Sequence, residues 1–203
     1  MLYSGKDLRK LIIPLIIEQI LAIAVGMADT IMVSAAGEAA VSGVSLVDTV
    51  NILLINVFSA LATGGAVVSG HFLGKKKRED ACKSAWQILL FATLLAFVIS
   101  VIFITAHDPL LRLMFGKIED DVMKASKTYL IITTYSFVAL AIYNSCAALF
   151  RAMNESKVTM WVSLLMNVIN VVGNAICIYG LHMGVAGVAI PTTISRYVAA
   201  VVI

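Results

Sequence analysis

Four polar side chains lie inside long apolar stretches of the sequence, and their chemical types suit the binding of a proton or a small cation. They are the carboxyl of Asp29, the amides of Asn170 and Asn174, and the hydroxyl of Thr192. A carboxylate loses solvation when it leaves water, which makes Asp29 a candidate for reversible protonation near neutral pH. The oxygens of the other three residues could instead help Asp29 to coordinate a small cation. The residue types therefore leave a proton site and a cation site both open.

The spacing of these residues along their apolar stretches places them at a similar depth in a membrane. At a helical rise of 1.5 Å per residue, Asp29 lies about 27 Å from the start of its stretch, and Asn174 lies about 26 Å from Lys157. Thr192 lies on a stretch that begins at the opposite surface, roughly 7–10 Å below that surface. All of them fall in the outer half of a hydrocarbon core about 30 Å thick, where one site can collect them. A purely structural role for the asparagines, as hydrogen-bonded links between helices, is the alternative.

Two further carboxyls, Glu18 and Asp48, are secondary candidates for the same chemistry. Glu18 precedes Asp29 by eleven residues, almost three helical turns, so both carboxyls share one face of a helix. Unlike Asp29, Glu18 falls in the inner half of the membrane. Asp48 lies near the outer surface, where we expect it to cap the start of its own helix rather than to bind an ion.

Residues that contact a transported molecule are harder to select from the sequence. Tyr135, Tyr143 and Asn144 share the fourth apolar stretch and are candidates for lining a cavity, although aromatic packing between helices is the simpler role. The histidines and cysteines are scattered and form no metal-binding motif, so we expect no metal site. A nucleophile paired with a base is also missing from the apolar stretches, so we expect no enzyme.

The composition of the chain requires a lipid environment. Of its 203 residues, 61% are apolar or aromatic and only 13% are charged, and the mean hydropathy is +0.98. A soluble domain has about half of its residues apolar and about a quarter charged. Because no soluble core of this size can bury so much apolar surface, a cytosolic enzyme, a nucleic-acid-binding protein and a secreted scaffold are excluded. The lipid bilayer is an expected partner, and nucleic acid is not.

Six apolar stretches are long enough to cross a bilayer as helices, which takes about 20 residues each. The predicted fold class is therefore all-α, a polytopic membrane protein with six transmembrane helices. The predicted spans cover residues 11–33, 44–72, 85–106, 122–149, 158–179 and 185–203. Charged or turn-forming residues separate them, including a break at His107, Asp108 and Pro109. The sixth stretch ends at Ile203 without a polar anchor, so we expect the chain to be a fragment of a longer protein.

The basic residues predict how the spans are oriented. Ten Lys and Arg residues fall on the side of the membrane that contains the N-terminus, four fall on the other side, and Arg196 lies inside the sixth span. The ten are Lys6, Arg9, Lys10, Lys75, Lys76, Lys77, Arg78, Lys83, Arg151 and Lys157. Because short cytoplasmic loops collect basic residues, we expect the N-terminus in the cytoplasm. Trp86 and Trp161 then both fall at cytoplasmic span ends, where indole rings are enriched.

Several motifs, in this order, resemble those of multidrug and toxic compound extrusion (MATE) transporters. They extend over essentially the whole chain: IPLIIEQ at 13–19, VGMADTIMV at 25–33, ATGGA at 62–66, GHFLG at 70–74, FRAMN at 150–154, NVVGNAICIYG at 170–180 and GVAGVAIPT at 184–192. The family often has Gln at the position of His71. The resemblance implies twelve helices in two six-helix lobes that face each other across a central cavity. By this resemblance, residues 1–203 form the N-terminal lobe, and the C-terminal lobe is missing.

The resemblance also implies a function. Family members export organic cations and other amphipathic drugs in exchange for protons or sodium ions. The implied protein is a multidrug efflux antiporter, multi-pass in a cell membrane, most simply a prokaryotic plasma membrane. Its implied partners are a drug-like small molecule and the missing lobe, and it needs no cofactor beyond the coupling ion.

Roles for individual residues follow from the same resemblance. The conserved first-helix carboxylate of the family corresponds to Asp29, the fifth-helix polar pair to Asn170 and Asn174, and a sixth-helix hydroxyl to Thr192. Some prokaryotic members carry Asp where this chain has Asn174, and others carry Asn. With Asn174, only Asp29 in that cluster can change its charge, and the choice between proton and sodium stays open.

Two other functions remain open at this point. Related exporters flip lipid-linked oligosaccharides, but those would be expected to have a more basic cavity for phosphates, whereas the spans hold only Arg196. A membrane subunit that does not itself transport is the second alternative. If this alternative is correct, a protein of any length expressed from the gene should fail to transport a solute.

Overall fold

The computed structural model describes residues 5–203, with the side chains of Arg9 and of residues 11–203. This described part contains eight α-helices, one π-helical turn and no β-strand, which confirms the all-α class. The elements are α1 (Gly5–Ser34), α2 (Glu38–Gly74), α3 (Arg78–Thr105), α4 (His107–Phe115), α5 (Asp120–Thr134), α6 (Phe137–Ala152), α7 (Ser156–Ala175), the π-helical turn (Ile176–Gly180) and α8 (Ala186–Val202). The side chains of Lys6 and Lys10, which contribute to the predicted orientation, lie outside the described residues.

Long apolar helices account for the predicted spans in their predicted order. Within residues 5–203, four segments are long and apolar enough to cross a membrane, namely Leu11–Ser34, Glu38–Gly74, Arg78–Thr105 and Ser156–Gly180. The bent pair α5 and α6 counts as a fifth span when the two helices are taken together. Helix α8 corresponds to the predicted sixth span. Its 17 residues are about 26 Å long, slightly less than the hydrocarbon core of about 30 Å.

The predicted break between the third and fourth spans contains a short helix instead of a turn. Helix α4 begins at His107 and includes Pro109 in its first turn. Backbone N–H groups of the first turn have no partner within a helix, so the missing N–H of proline costs nothing there. An ion pair between Asp108 and Lys127 fastens α4 to α5.

The predicted fourth span is not one continuous helix. Helix α5 ends at Thr134, α6 begins at Phe137, and the two are bent by 52°. The Thr134 hydroxyl donates to the backbone carbonyl four residues earlier at 2.6 Å, a bond of the kind that bends helices. At this break the backbone carbonyl of Tyr135 accepts a hydrogen bond from α8, because the Tyr197 hydroxyl donates to it at 2.8 Å. Non-helical backbone at membrane depth is stable only with such partners.

Packing inside the bundle relies on small residues, whereas many large apolar side chains lie on the outer surface. Ala92, Ala96 and Ala141 are fully buried where α2, α3 and α6 meet. Small side chains let helices approach closely in lipid, where no hydrophobic force drives them together. Trp86 and Trp161 expose 65% and 63% of their surface, as residues at a membrane interface do.

Candidate functional site

Asp29, Asn170, Asn174 and Thr192 are brought together where α1 and α8 pack against α7. The Asn174 Nδ2 atom donates to Asp29 Oδ1 at 2.6 Å and to Asn170 Oδ1 at 3.2 Å. The Asn170 Nδ2 atom donates to Thr192 Oγ1 at 2.9 Å, and Thr192 Oγ1 donates to the Val188 carbonyl at 2.8 Å. The four residues selected from the sequence thus form one continuous hydrogen-bonded chain across three helices.

A close approach of α7 to α8 makes this chain of hydrogen bonds possible. Asn170 and Asn174 are one helical turn apart and therefore point to the same side of α7. Between them, Gly173 faces Pro191, and a Cβ added to Gly173 would lie 2.6 Å from the Pro191 Cβ. No side chain packs at that distance, so only glycine allows α8 to come close enough for Thr192 to reach Asn170.

Replacing Gly173 with alanine should therefore force α7 and α8 apart, because the rigid ring of Pro191 cannot move out of the way of the new methyl group. We expect the Asn170–Thr192 hydrogen bond to be lost and the full-length protein to be destabilised by about 1–3 kcal/mol, the usual cost of overpacking. Thermal unfolding of the purified protein in detergent measures this. The matched control is Gly64→Ala in α2, where nothing lies within 4 Å of the added Cβ. Equal stability of the two variants would contradict the prediction.

The environment of the site suits a bound ion. Asp29 is half-buried, Asn174 is fully buried, and the hydrogen-bond donor to Asp29 is a neutral amide. The Asn174 Oδ1 atom is buried and has no hydrogen-bond partner among the described residues. A buried oxygen without a partner is costly, typically about 1–3 kcal/mol, unless something else binds it. A cation or the proton of a neutral Asp29 would supply that partner.

Asp48 is not a helix cap, contrary to the role predicted from the sequence. Helix α2 begins at Glu38, ten residues before Asp48, because small and weakly polar residues extend the helix beyond its apolar stretch. The Asp48 Oδ1 atom instead accepts hydrogen bonds from the Tyr129 hydroxyl at 3.0 Å and from Asn51 Nδ2 at 3.3 Å. Asp48 therefore links α2 to α5.

Glu18 belongs to a separate cluster in the other half of the bundle. Its Oε1 atom accepts from Arg151 Nη1 and from the Tyr143 hydroxyl, both at 3.5 Å, and its Oε2 atom accepts from Thr159 Oγ1 at 3.4 Å. The ion pair with Arg151 compensates the charge of this buried carboxylate. The setting of Glu18 thus differs from that of Asp29, whose nearest partner is uncharged.

The three candidate cavity residues differ in their exposure. Tyr135 lies at the bend between α5 and α6 and is 55% exposed. Tyr143 is buried beside Glu18, and Asn144 is buried with its Nδ2 donating to the Leu140 carbonyl at 3.0 Å. A role for these residues in contacting a transported molecule stays a prediction.

Sequence reasoning missed the hydroxyl partners of the secondary carboxyls. Tyr129 is 81 positions from Asp48, and Thr159 is 141 positions from Glu18. No local spacing connects residues so far apart. The sequence offers one weaker indication of such partners. A hydroxyl group inside an apolar stretch needs a hydrogen-bond partner, because an unpaired polar group there is energetically costly.

Known proteins similar to this chain are membrane transporters. The MatE family model matches residues 14–176. The uncharacterized transporter YisQ of Bacillus subtilis is 32% identical over 190 residues, which cover 91% of this chain and 41% of YisQ. The probable multidrug resistance protein NorM of Thermotoga maritima is 27% identical over 199 residues, which cover 96% of this chain and 42% of NorM.

The fold also matches a solved transporter structure. The outward-facing conformation of a multidrug resistance MATE family transporter of the MOP superfamily superposes with a TM-score of 0.90 at 24% identity. The match covers 97% of this chain and 43% of that structure. The chain thus spans about two fifths of the length of the relatives that it matches.

Proposed function

The chain belongs to the MatE family of transporters, and from that premise we propose that it forms the N-terminal lobe of a multidrug efflux antiporter. The full-length protein would export organic cations or amphipathic drugs in exchange for protons or sodium ions. The observation that carries this proposal is the hydrogen-bonded chain from Asp29 to Thr192. It holds a carboxyl in the membrane with neutral partners, so that its charge is left for a coupling ion to neutralise.

Ion binding would change how α1 is attached to α7. In the ion-free state the Asp29 carboxylate accepts a charge-assisted hydrogen bond from Asn174, which is stronger than a bond between neutral groups. A proton on Asp29 weakens that bond. A sodium ion would instead be bound by oxygen atoms, and beside the Asp29 carboxylate the Asn174 Oδ1 atom has no hydrogen-bond partner among the described residues. Either event favours one bend of α1 and hence one shape of the cavity between the lobes.

The energy of one exchanged ion is sufficient for useful export. One elementary charge that crosses a potential of 100 mV supplies about 2.3 kcal/mol, which supports roughly a fifty-fold gradient of a solute moving the other way. The excess of basic residues on the N-terminal side supports a cytoplasmic N-terminus. Export would then run away from that side.

Transport of a fluorescent organic cation by the full-length protein in vesicles tests the proposal. A proton gradient and a sodium gradient are imposed separately, with protein-free vesicles as the control for leakage. We expect one of the two gradients to drive accumulation well above leakage, which also identifies the coupling ion. Accumulation at the leakage rate under both gradients would contradict the proposed antiport.

A further inference from the structure

A groove on the surface of the lobe runs between the N-terminal halves of α1 and α7. It encloses about 440 Å³, which is within the range of known ligand-binding clefts. The two helices run parallel, because Glu18 contacts Thr159 and, further along both helices, Asp29 contacts Asn174. The N-terminal ends of α1 and α7 therefore lie together at one end of the groove.

Two basic side chains, Arg9 and Lys157, line that end of the groove. Arg9 is the fifth residue of α1, Lys157 is the second residue of α7, and both are exposed. Neither forms an ion pair within 4.0 Å with a carboxylate of the described residues. The carboxyl of Glu155, two residues before Lys157, does not line the groove. The groove thus presents two positive charges near the ends of two spans, at the level of lipid headgroups.

Beyond the two charges the wall of the groove is apolar. The remaining lining residues are Ile13, Pro14, Ile17, Met160 and Trp161. Ile17 follows Arg9 by eight residues, so this wall extends about 12 Å towards the middle of a hydrocarbon core about 30 Å thick. The exposed indole of Trp161 suits the boundary between headgroups and acyl chains. Charge at the membrane surface and an apolar wall below it match the two parts of a lipid molecule.

We propose that this groove binds an anionic phospholipid, with its phosphate between Arg9 and Lys157 and an acyl chain along Ile13. The planar fork of an arginine pairs with two phosphate oxygens, and a lysine adds a point charge. The basic residues predict this end of the lobe to be cytoplasmic, and the cytoplasmic leaflet carries the anionic lipids. An organic cation is a poor occupant, because both charges repel it. The inference requires the lobe to lie in a membrane and does not rest on the proposed transport.

Titration of phosphatidylglycerol into the full-length protein in detergent, followed by native mass spectrometry, tests the site. Phosphatidylcholine, which is zwitterionic, is titrated in parallel. We expect the first phosphatidylglycerol to bind more tightly than the first phosphatidylcholine. The double variant Arg9→Gln, Lys157→Gln should weaken phosphatidylglycerol binding about thirtyfold, because it removes two basic residues near the membrane surface. The matched control Lys75→Gln, Lys77→Gln removes two exposed lysines between α2 and α3 and should leave that binding nearly unchanged.

A second variant separates binding in the groove from a general attraction of anionic lipid to a basic surface. Ile17→Trp fills the groove without changing the charge, and Ile17 is exposed enough to accept a larger side chain. We expect it to weaken phosphatidylglycerol binding at least about tenfold, because the acyl chain loses apolar contact area. The matched control is Ile16→Trp, at an exposed neighbour that does not line the groove.

Each outcome of these titrations decides for or against the lipid site. If the unaltered protein binds the two lipids equally, or binds neither because the rest of the full-length protein covers the groove, the proposal is overturned. Equal losses in the two charge variants would assign the binding to general surface charge and overturn it as well, as would unchanged binding in the Arg9, Lys157 double variant. Should that double variant not fold, the comparison of Ile17→Trp with Ile16→Trp decides.

Discussion

Asp29→Asn should abolish gradient-driven efflux by the full-length protein while leaving its membrane insertion intact. Asparagine has the size and shape of aspartate and can still hydrogen-bond to Asn174, so the packing of α1 against α7 is preserved. It cannot bind a proton near neutral pH, and it gives a cation no charge to neutralise. At a potential of 100 mV, a drug gradient of roughly fifty-fold should collapse to no gradient at all.

The measurement compares accumulation of a fluorescent cation with the amount of protein in the membrane fraction. Asp120→Asn is the matched control, because that carboxyl is exposed at the start of α5 and has no part in the site. Asp48→Asn tests, in the same assay, the secondary carboxyl on α2. Efflux undiminished in Asp29→Asn would remove Asp29 from the mechanism, and a similar loss in Asp120→Asn would show that the assay reports expression instead.

The depth of the Asp29 site could be predicted from the sequence because the rise of an α-helix is constant. Counting residues along an apolar stretch gives the height of each side chain, and the four-residue spacing of Asn170 and Asn174 gives a shared face. Residue types then indicate the chemistry. Height and face were sufficient here, since α1 and α8 both pack directly against α7.

Two other features could not be predicted in the same way. They are the rotation of each helix about its own axis and the contacts between helices that are distant in the sequence. Asp48 was assigned to a helix start because its apolar stretch begins only four residues earlier, yet α2 itself begins at Glu38. The Tyr129 hydroxyl that binds Asp48 lies on a helix whose neighbours no local pattern identifies. The bend after Thr134 was missed for a related reason. Its stability depends on donors from other helices, such as Tyr197, and not on a proline or a glycine in the span.

The Glu18 cluster shows how a charge of the same type can serve a different purpose when its partner differs. Asp29 is paired with a neutral amide and is proposed to exchange an ion. Glu18 is paired with Arg151, and their side chains are only 11% and 26% exposed. A compensated carboxylate gains little from binding a further cation. Since its other partners, Tyr143 and Thr159, lie on α6 and α7, Glu18 instead links the N-terminal half of α1 to those helices.

Arg151→Gln should therefore destabilise the full-length protein markedly, because it leaves the Glu18 carboxylate buried without a counter-charge. Breaking a fully buried ion pair costs about 3–5 kcal/mol. Partial exposure of Arg151 allows solvent to screen the remaining charge, which lowers the expected cost to about 1–3 kcal/mol. The measurement is thermal unfolding in detergent. Removing both charges in the double variant Glu18→Gln, Arg151→Gln should restore most of the lost stability, since no unpaired charge then remains.

An exposed ion pair provides the control for the comparison of the single and double variants of Glu18 and Arg151. Lys124 and Asp121 lie 3.3 Å apart, with side chains 76% and 78% exposed, so Lys124→Gln should change stability by an amount too small to measure. A double variant no more stable than Arg151→Gln alone would show that the guanidinium acts through packing of its stem and not through its charge. In that case Glu18 would be an uncompensated carboxylate in practice, and it would have to be tested beside Asp29 as an ion-binding residue.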